Sequence, residues 1–346
     1  MNAAFIAVDS GGTRSHVKLT LQGDDVNDIQ LFEVPSTISG ILPGSQYGQV
    51  LRDMLRPVEK YWIEHDPQDT DTYLFIGAAG YANSTRELFQ DVLFDVLPTM
   101  LAGTIVTAGA VNDAVGLLLG YESDGAIIVG TGSNILVRSS DAKIYQVGGQ
   151  DWVADDNGAG FWIGLRAIRK VSRAHAMGEQ SVLLSRFEET YGITPDKERE
   201  LFARFRSLAV ADRNMKAGIA RFAASVCAAA ESGDAEAQDI VKLEAEDLAD
   251  SAAIAIRRRF SKTEVSGGLR FVQCGNVLKN EFFRASFEAQ LNMRLRSGDG
   301  EAANIEWLSV RDGIEGYDLL AKRLTGPVDD LLRIDLMYRP VILHFK

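Results

Sequence analysis

Val8-Asp-Ser-Gly-Gly-Thr-Arg14 near the start of the chain and Val129-Gly-Thr-Gly-Ser-Asn134 in its middle third decide how this sequence reads. Each glycine turn follows a short apolar strand, Ala4–Val8 or Ala126–Val129, and leads into another, Val17–Leu21 or Ile135–Arg138. The repeated layout predicts a duplicated core, one copy per domain. A third turn, Cys274-Gly-Asn276, follows the apolar run Leu269–Gln273. Glycine in such turns lets backbone N–H groups approach an anion without an intervening Cβ, and Thr or Ser hydroxyls add donors.

Outward from these turns, strands and helices alternate. Leu51, Met54, Leu55, Val58 and Trp62 give helical spacing to Val50–Ile63. Thr72–Ile76 and Thr104–Thr107 read as strands, and Glu87–Leu97 as a helix. Asn112-Asp113 opens an apolar helix, Ala114–Leu119, in an N-capping position. After Gly164 the chain is mostly helical; a long helix over Asp234–Arg257 is expected to turn Ile240, Leu243, Leu248 and Ile254 inward. Ile314–Leu324 reads as a helix, and the tail Gly326–Lys346 as a short helix and a strand at Val341–Phe345. The fold class is α/β.

Of 346 residues, 48 are Asp or Glu and 36 Lys or Arg, a net charge of −12 that argues against nucleic acid or an anionic membrane as partner. Two cysteines, Cys227 and Cys274, cannot build a disulfide framework or a zinc or iron–sulfur site within one chain, which fits a reducing cytoplasm. No signal peptide or apolar membrane-length run is visible. Length suggests two domains, and no low-complexity linker separates them.

The chain has no Gly-x-x-x-x-Gly-Lys-Ser/Thr loop and no Gly-x-Ser-x-Gly elbow. Gly158-Ala-Gly160 begins a dinucleotide fingerprint that fails at Ile163. What remains are the glycine turns and two well-placed acids. Asp9 could hold hydrated Mg²⁺, and Asp113 could accept a hydroxyl proton. A phosphate cradle, a metal and a positioning base are the parts of phosphoryl transfer. Taken alone, Asp9 also reads as a turn residue and Asp113 as a helix cap.

These residues carry a resemblance. Asp9-Ser-Gly-Gly-Thr-Arg-Ser15 resembles the first phosphate motif of actin-like sugar kinases, Gly130–Asn134 the second, and Phe271–Val277 the adenosine motif. Gly148-Gly149 and Asp155-Asp-Asn-Gly-Ala-Gly-Phe-Trp-Ile-Gly164 resemble the signature of N-acetylglucosamine and glucosamine kinases in the BadF/BadG/BcrA/BcrD ATPase family. The resemblance covers most of the chain, from Phe5 to Leu324. It implies two actin-like (ribonuclease H-like) domains around a cleft: residues 1–117, residues 118–325 with the adenosine site, and an extension at 326–346.

It also implies an ATP-dependent kinase acting on the 6-hydroxyl of an amino sugar, with ATP and Mg²⁺. Asp9 would organise the metal. Gly11, Gly12, Thr13, Gly130, Thr131, Gly132 and Ser133 would contact phosphates, and Gly275 and Asn276 would flank adenosine. Asp113 would be the base, and Asn134, Gly149, Gln150 and Asp156 would meet the sugar. The chain departs from the family at Asn157, where an acid is usual, at Ala159, where a hydroxyl is usual, and at Ile38, which stands where a sugar-binding asparagine is common. Ile38 is expected to offer an apolar wall to an acetamido group, and Asp151 or Asp155 a carboxylate to a free amine. The partner expected is a small sugar, with a homodimer left open. An ATPase activating a dehydratase through a shared iron–sulfur cluster and a non-catalytic sugar or nucleotide sensor are the rival readings.

Overall fold

The computed structural model describes residues 2–11, 14–23, 27–36, 38, 42–65, 70–101, 104–193, 203–204, 206–207, 215–296, 303–333 and 338–345. Its strands are β1 (Asn2–Ser10), β2 (Ser15–Gln22), β3 (Asn27–Val34), β4 (Thr70–Ala78), β5 (Ile105–Asn112), β6 (Gly125–Val129), β7 (Ser133–Arg138), β8 (Ile144–Gly148), β9 (Leu269–Cys274), β10 (Ile305–Ser309) and β11 (Val341–His344). The helices are α1 (Tyr47–His65), α2 (Arg86–Met100), α3 (Asp113–Gly120), α4 (Gly160–Met177), α5 (Val182–Tyr191), α6 (Met215–Ala220), α7 (Ala223–Glu231), α8 (Ala235–Arg259), α9 (Lys262–Gly267), α10 (Glu281–Leu295), α11 (Ile314–Arg323) and α12 (Asp329–Leu332).

The strands form a six-stranded sheet in the order β11-β5-β4-β1-β2-β3 and a five-stranded sheet in the order β10-β9-β6-β7-β8. Without β11, the first sheet repeats the order of the second. The two glycine-turn strand pairs, β1–β2 and β6–β7, occupy matching places, so the duplication predicted from the sequence is a duplication of topology. β1 pairs antiparallel with β2 and parallel with β4, and β4 runs parallel to β5. A strand covered on both faces needs a nearly continuous apolar run, and β1 is buried from Ala4 to Val8.

The chain divides into two compact units, each assembled from separated stretches. The first comprises Met1–Ala126, Arg138–Ile144 and Asp312–Lys346; the second comprises Ile127–Val137 and Tyr145–Arg311. In the first, Ile6, Val8, Leu74 and Ile76 pack with Met54 and Leu55 of α1 and Phe89 and Leu93 of α2. Here α11 lies against α3, where an added Cβ on Gly120 would stand 2.3 Å from the Gly316 carbonyl oxygen. Lys18 and Thr20 of β2 fix α11 from the other side, bonding Asp318 at 3.1 Å each.

In the second unit, α8 buries Ile240 and Leu248, as expected, but Leu243 and Ile254 are 41% and 52% exposed. The cause is the alanine content: Ala237, Ala245, Ala249, Ala252 and Ala255 make the packed face. Small side chains let neighbouring helices approach closely, so the larger residues Leu243 and Ile254 are left outside it.

Candidate active site

Parallel strands β1, β4 and β5 end side by side in the first unit, the usual ligand side of such a sheet. Asp9 stands at the end of β1, opposite Gly77 of β4. Asp113 follows β5 as the first residue of α3. Asn112 is the residue that caps this helix, its side chain accepting from Ala114 N–H at 3.1 Å. Asp113 accepts from the same N–H through Oδ1 at 2.8 Å. Asp113 thus shares that N–H with the Asn112 cap and keeps its Oδ2 outside this bond. Burial pushes its carboxyl pKa up, opposed by that hydrogen bond.

Asp9 is raised as well, to about 7, first by burial and then by the negative charges of Asp113 and Asp312; the Gly313 N–H, 3.1 Å from Oδ2, works the other way. A folded-state pKa near 7 against an ordinary 3.8 means that the folded protein keeps a proton which the unfolded chain has released. Stability therefore falls as pH rises through that window. In metal-free buffer the melting temperature should drop between about pH 5 and pH 7.5, and Asp9→Asn should flatten the drop. Equal slopes for the two proteins would refute this.

Gly11 is half-buried beside Arg14, while Gly12 and Thr13 lie outside the described residues. Ile38 is 1% exposed and packs in the first unit's core, its N–H donating to Ser10 Oγ. It is therefore part of the core and does not present the expected apolar wall.

The second unit holds the other turns. Gly130 N–H closes on the Gly132 carbonyl at 2.8 Å. The first N–H groups of α4, from Gly160 and Phe161, donate to the carbonyls of Gly130 and Thr131. The helix thus fixes the loop from behind. The Ser133 hydroxyl donates to the Asn157 carbonyl at 2.8 Å. Gly275 has φ +111°, and a Cβ there would stand 2.3 Å from the Val129 carbonyl oxygen, so only glycine joins this turn to the end of β6. Asn276 is exposed and accepts from Lys279 Nζ at 2.8 Å.

Asp156, with φ +65°, is 2% exposed beneath the Gly130 loop. Its Oδ1 accepts from Ser133 N–H at 3.3 Å and its Oδ2 from Lys216 Nζ at 2.6 Å. Lys216 also reaches Asp151 at 2.8 Å. These contacts raise the Lys216 pKa against the effect of its own burial and help hold Asp151 below its usual value. Asn134 accepts from Gln146 at 3.0 Å beside Gly149, whose N–H donates to the Ser133 carbonyl. Gln150 is exposed. Asp155 accepts from Gly148 N–H at 2.8 Å.

The family departures have a local explanation. Asn157 donates to Ser251 of α8 at 3.0 Å, and Gly158 N–H to buried Glu244, which Arg166 also pairs. The turn is stapled to α8 through the side chain that replaces an acid. Ala159 is fully buried at the start of α4.

Sequence reasoning missed Lys216, Asp312 and Gly313. Lys216 lies far from Asp156 in sequence and in a short helix with no distinctive pattern. Asp312-Gly313 carried a turn signal, but nothing in it pointed to Asp9.

The family model for the BadF/BadG/BcrA/BcrD ATPase family matches residues 8–305. The chain belongs to that family. A curated relative from Clostridium acetobutylicum, named N-acetylmuramic acid/N-acetylglucosamine kinase, is 27% identical over 183 residues, 51% of this chain and 56% of the relative, so the match spans little more than half of that protein. Among solved structures, candidate N-acetylglucosamine kinases from Chromobacterium violaceum and Porphyromonas gingivalis align with TM-scores of 0.64 and 0.65, at 19% and 16% identity. They cover 92% and 94% of this chain and 98% and 99% of their own. A ROK family glucokinase from Streptomyces griseus, solved with glucose and AMPPNP, aligns at 0.52 with 16% identity, over 93% of this chain and 100% of its own. The fold is that of actin-like sugar kinases.

Proposed function

We propose that this protein is an ATP-dependent kinase that phosphorylates the 6-hydroxyl of an amino sugar, N-acetylglucosamine before glucosamine. The observation that carries the reading is the Asp9–Asp113 pair: two acids at the carboxyl ends of β1 and β5, the parallel strands on either side of β4. Asp113 serves as the base that accepts or orients the hydroxyl proton. The Gly130–Ser133 loop, with Gly11, Gly12 and Thr13, receives the nucleotide phosphates, and Gly275 and Asn276 flank adenosine. Asn134, Gly149, Gln150 and Asp156 bind the sugar.

The residues suit Mg²⁺. The negative charges of Asp113 and Asp312 beside Asp9 favour a cation there. Among the described residues no three acidic, His or Cys side chains form a complete metal cage, which matches an ion held by one carboxylate, water and phosphate oxygens. When bound, such an ion neutralises charge on the transferring phosphoryl group.

The sugar preference has local support. The carboxylates a glucosamine ammonium would seek are engaged, Asp151 by Lys216 and Asp155 by the Gly148 N–H. A neutral acetamido group needs neither, and the Clostridium relative's name points the same way. The dehydratase-activator reading is weaker, since both cysteines are buried and burial pushes the Cys227 thiol up to about 12. Among the described residues no helix is long and apolar enough to cross a membrane.

Coupled-assay ATP consumption over a sugar panel tests the proposal. N-acetylglucosamine should be turned over fastest, with kcat/KM ~10-fold or more above glucosamine. Faster turnover of glucosamine would reverse the preference, and activity on no sugar would remove the kinase reading.

A further inference from the structure

We infer that Tyr317 is a positioning residue for the Asp9–Asp113 pair, a role that rests on the kinase reading above. Tyr317 lies on α11, 1% exposed, and its hydroxyl donates to the Asp113 main-chain carbonyl at 2.9 Å. Its ring fills a slot cleared by three glycines from three separate segments. A Cβ on Gly77 would stand 2.2 Å from the ring, one on Gly116 2.4 Å, and one on Gly313 2.8 Å.

Each contact leads to an acid. Gly77 is the β4 partner of Asp9. Gly313 donates its N–H to Asp9 Oδ2. Gly116 lies one turn beyond Asp113 on α3, and the hydroxyl holds Asp113 itself. One rigid side chain thus touches the backbone of Asp113 and the two glycines that pair with Asp9 or donate to it. An apolar core residue would fill the slot without the hydroxyl bond to Asp113. The anchorage of α11 through Lys18 and Asp318 keeps the ring from retreating. Side chains held this firmly keep reacting groups within the tolerance that phosphoryl transfer demands.

Tyr317→Phe keeps the ring and removes the hydroxyl. Its kcat should fall ~10-fold, with both KM values within about twofold of wild type and the melting temperature nearly unchanged. That split separates positioning from a structural role, which would lower the melting temperature and leave kcat of the folded enzyme intact. Wild-type kcat in this variant, or a loss that vanishes at a temperature where the variant is fully folded, would overturn the inference alone. A wild-type protein inactive on every sugar would overturn the kinase reading and this inference with it.

Discussion

Asp113→Asn is expected to lower kcat by ~10²-fold or more while leaving ATP binding and folding intact, the usual scale for loss of a general base. The structure makes this a clean substitution. Asn112 supplies the cap of α3, so the helix start does not depend on the Asp113 charge. A carboxamide oxygen can still accept from Ala114 N–H, as Oδ1 does at 2.8 Å. The change also removes a negative charge that raises the Asp9 pKa, so thermal stability should hold or rise. Steady-state kinetics and a melting curve on the same preparation decide it. Near-wild-type kcat would remove Asp113 from the chemistry and leave it only the hydrogen bond from Ala114 N–H at the start of α3.

The strand–turn–strand pairs were legible because their signals are local: an apolar run, glycines and another apolar run. They located β1, β2, β6 and β7, and their repetition anticipated the matching sheet orders. Strand β3 was harder to see. It is an edge strand whose exposed face carries Ile29 and Leu31, so its hydrophobicity does not follow the alternation of its burial. On α8 the period was readable but the face was not, since alanine hardly weighs in a hydrophobic pattern yet here forms the packed surface.

The candidate site divides in the same way. Asp9, Asp113 and Gly275 sit where strands end, and strand ends can be read from sequence. Lys216 and Gly313 come from distant segments brought in by tertiary packing. So does the change in meaning of Asp156. As a motif residue it reads as an open sugar ligand; in the fold it is a buried carboxylate whose two oxygens already accept from Ser133 N–H and Lys216.

That double engagement makes Asp156→Asn the second large effect. Asparagine tolerates the left-handed backbone at φ +65° far better than alanine and can still accept from Ser133 N–H, so the variant removes little besides charge. Charge-assisted hydrogen bonds contribute ~1.5–3 kcal/mol each, which sets a loss of ~10- to 100-fold in kcat/KM for the sugar, with the KM for ATP nearly constant. Lys216 keeps Asp151 as a partner, which limits the accompanying loss of stability. The same loss would also follow if Asp156 served only to hold Lys216, and a double-mutant cycle with Lys216→Met separates the two. If Asp156 binds sugar directly, Asp156→Asn costs the Lys216→Met protein nearly as much as it costs wild type. If it acts through the ion pair, the second substitution adds nothing to the first, and the sugar contact moves to Asn134 and Gly149 alone.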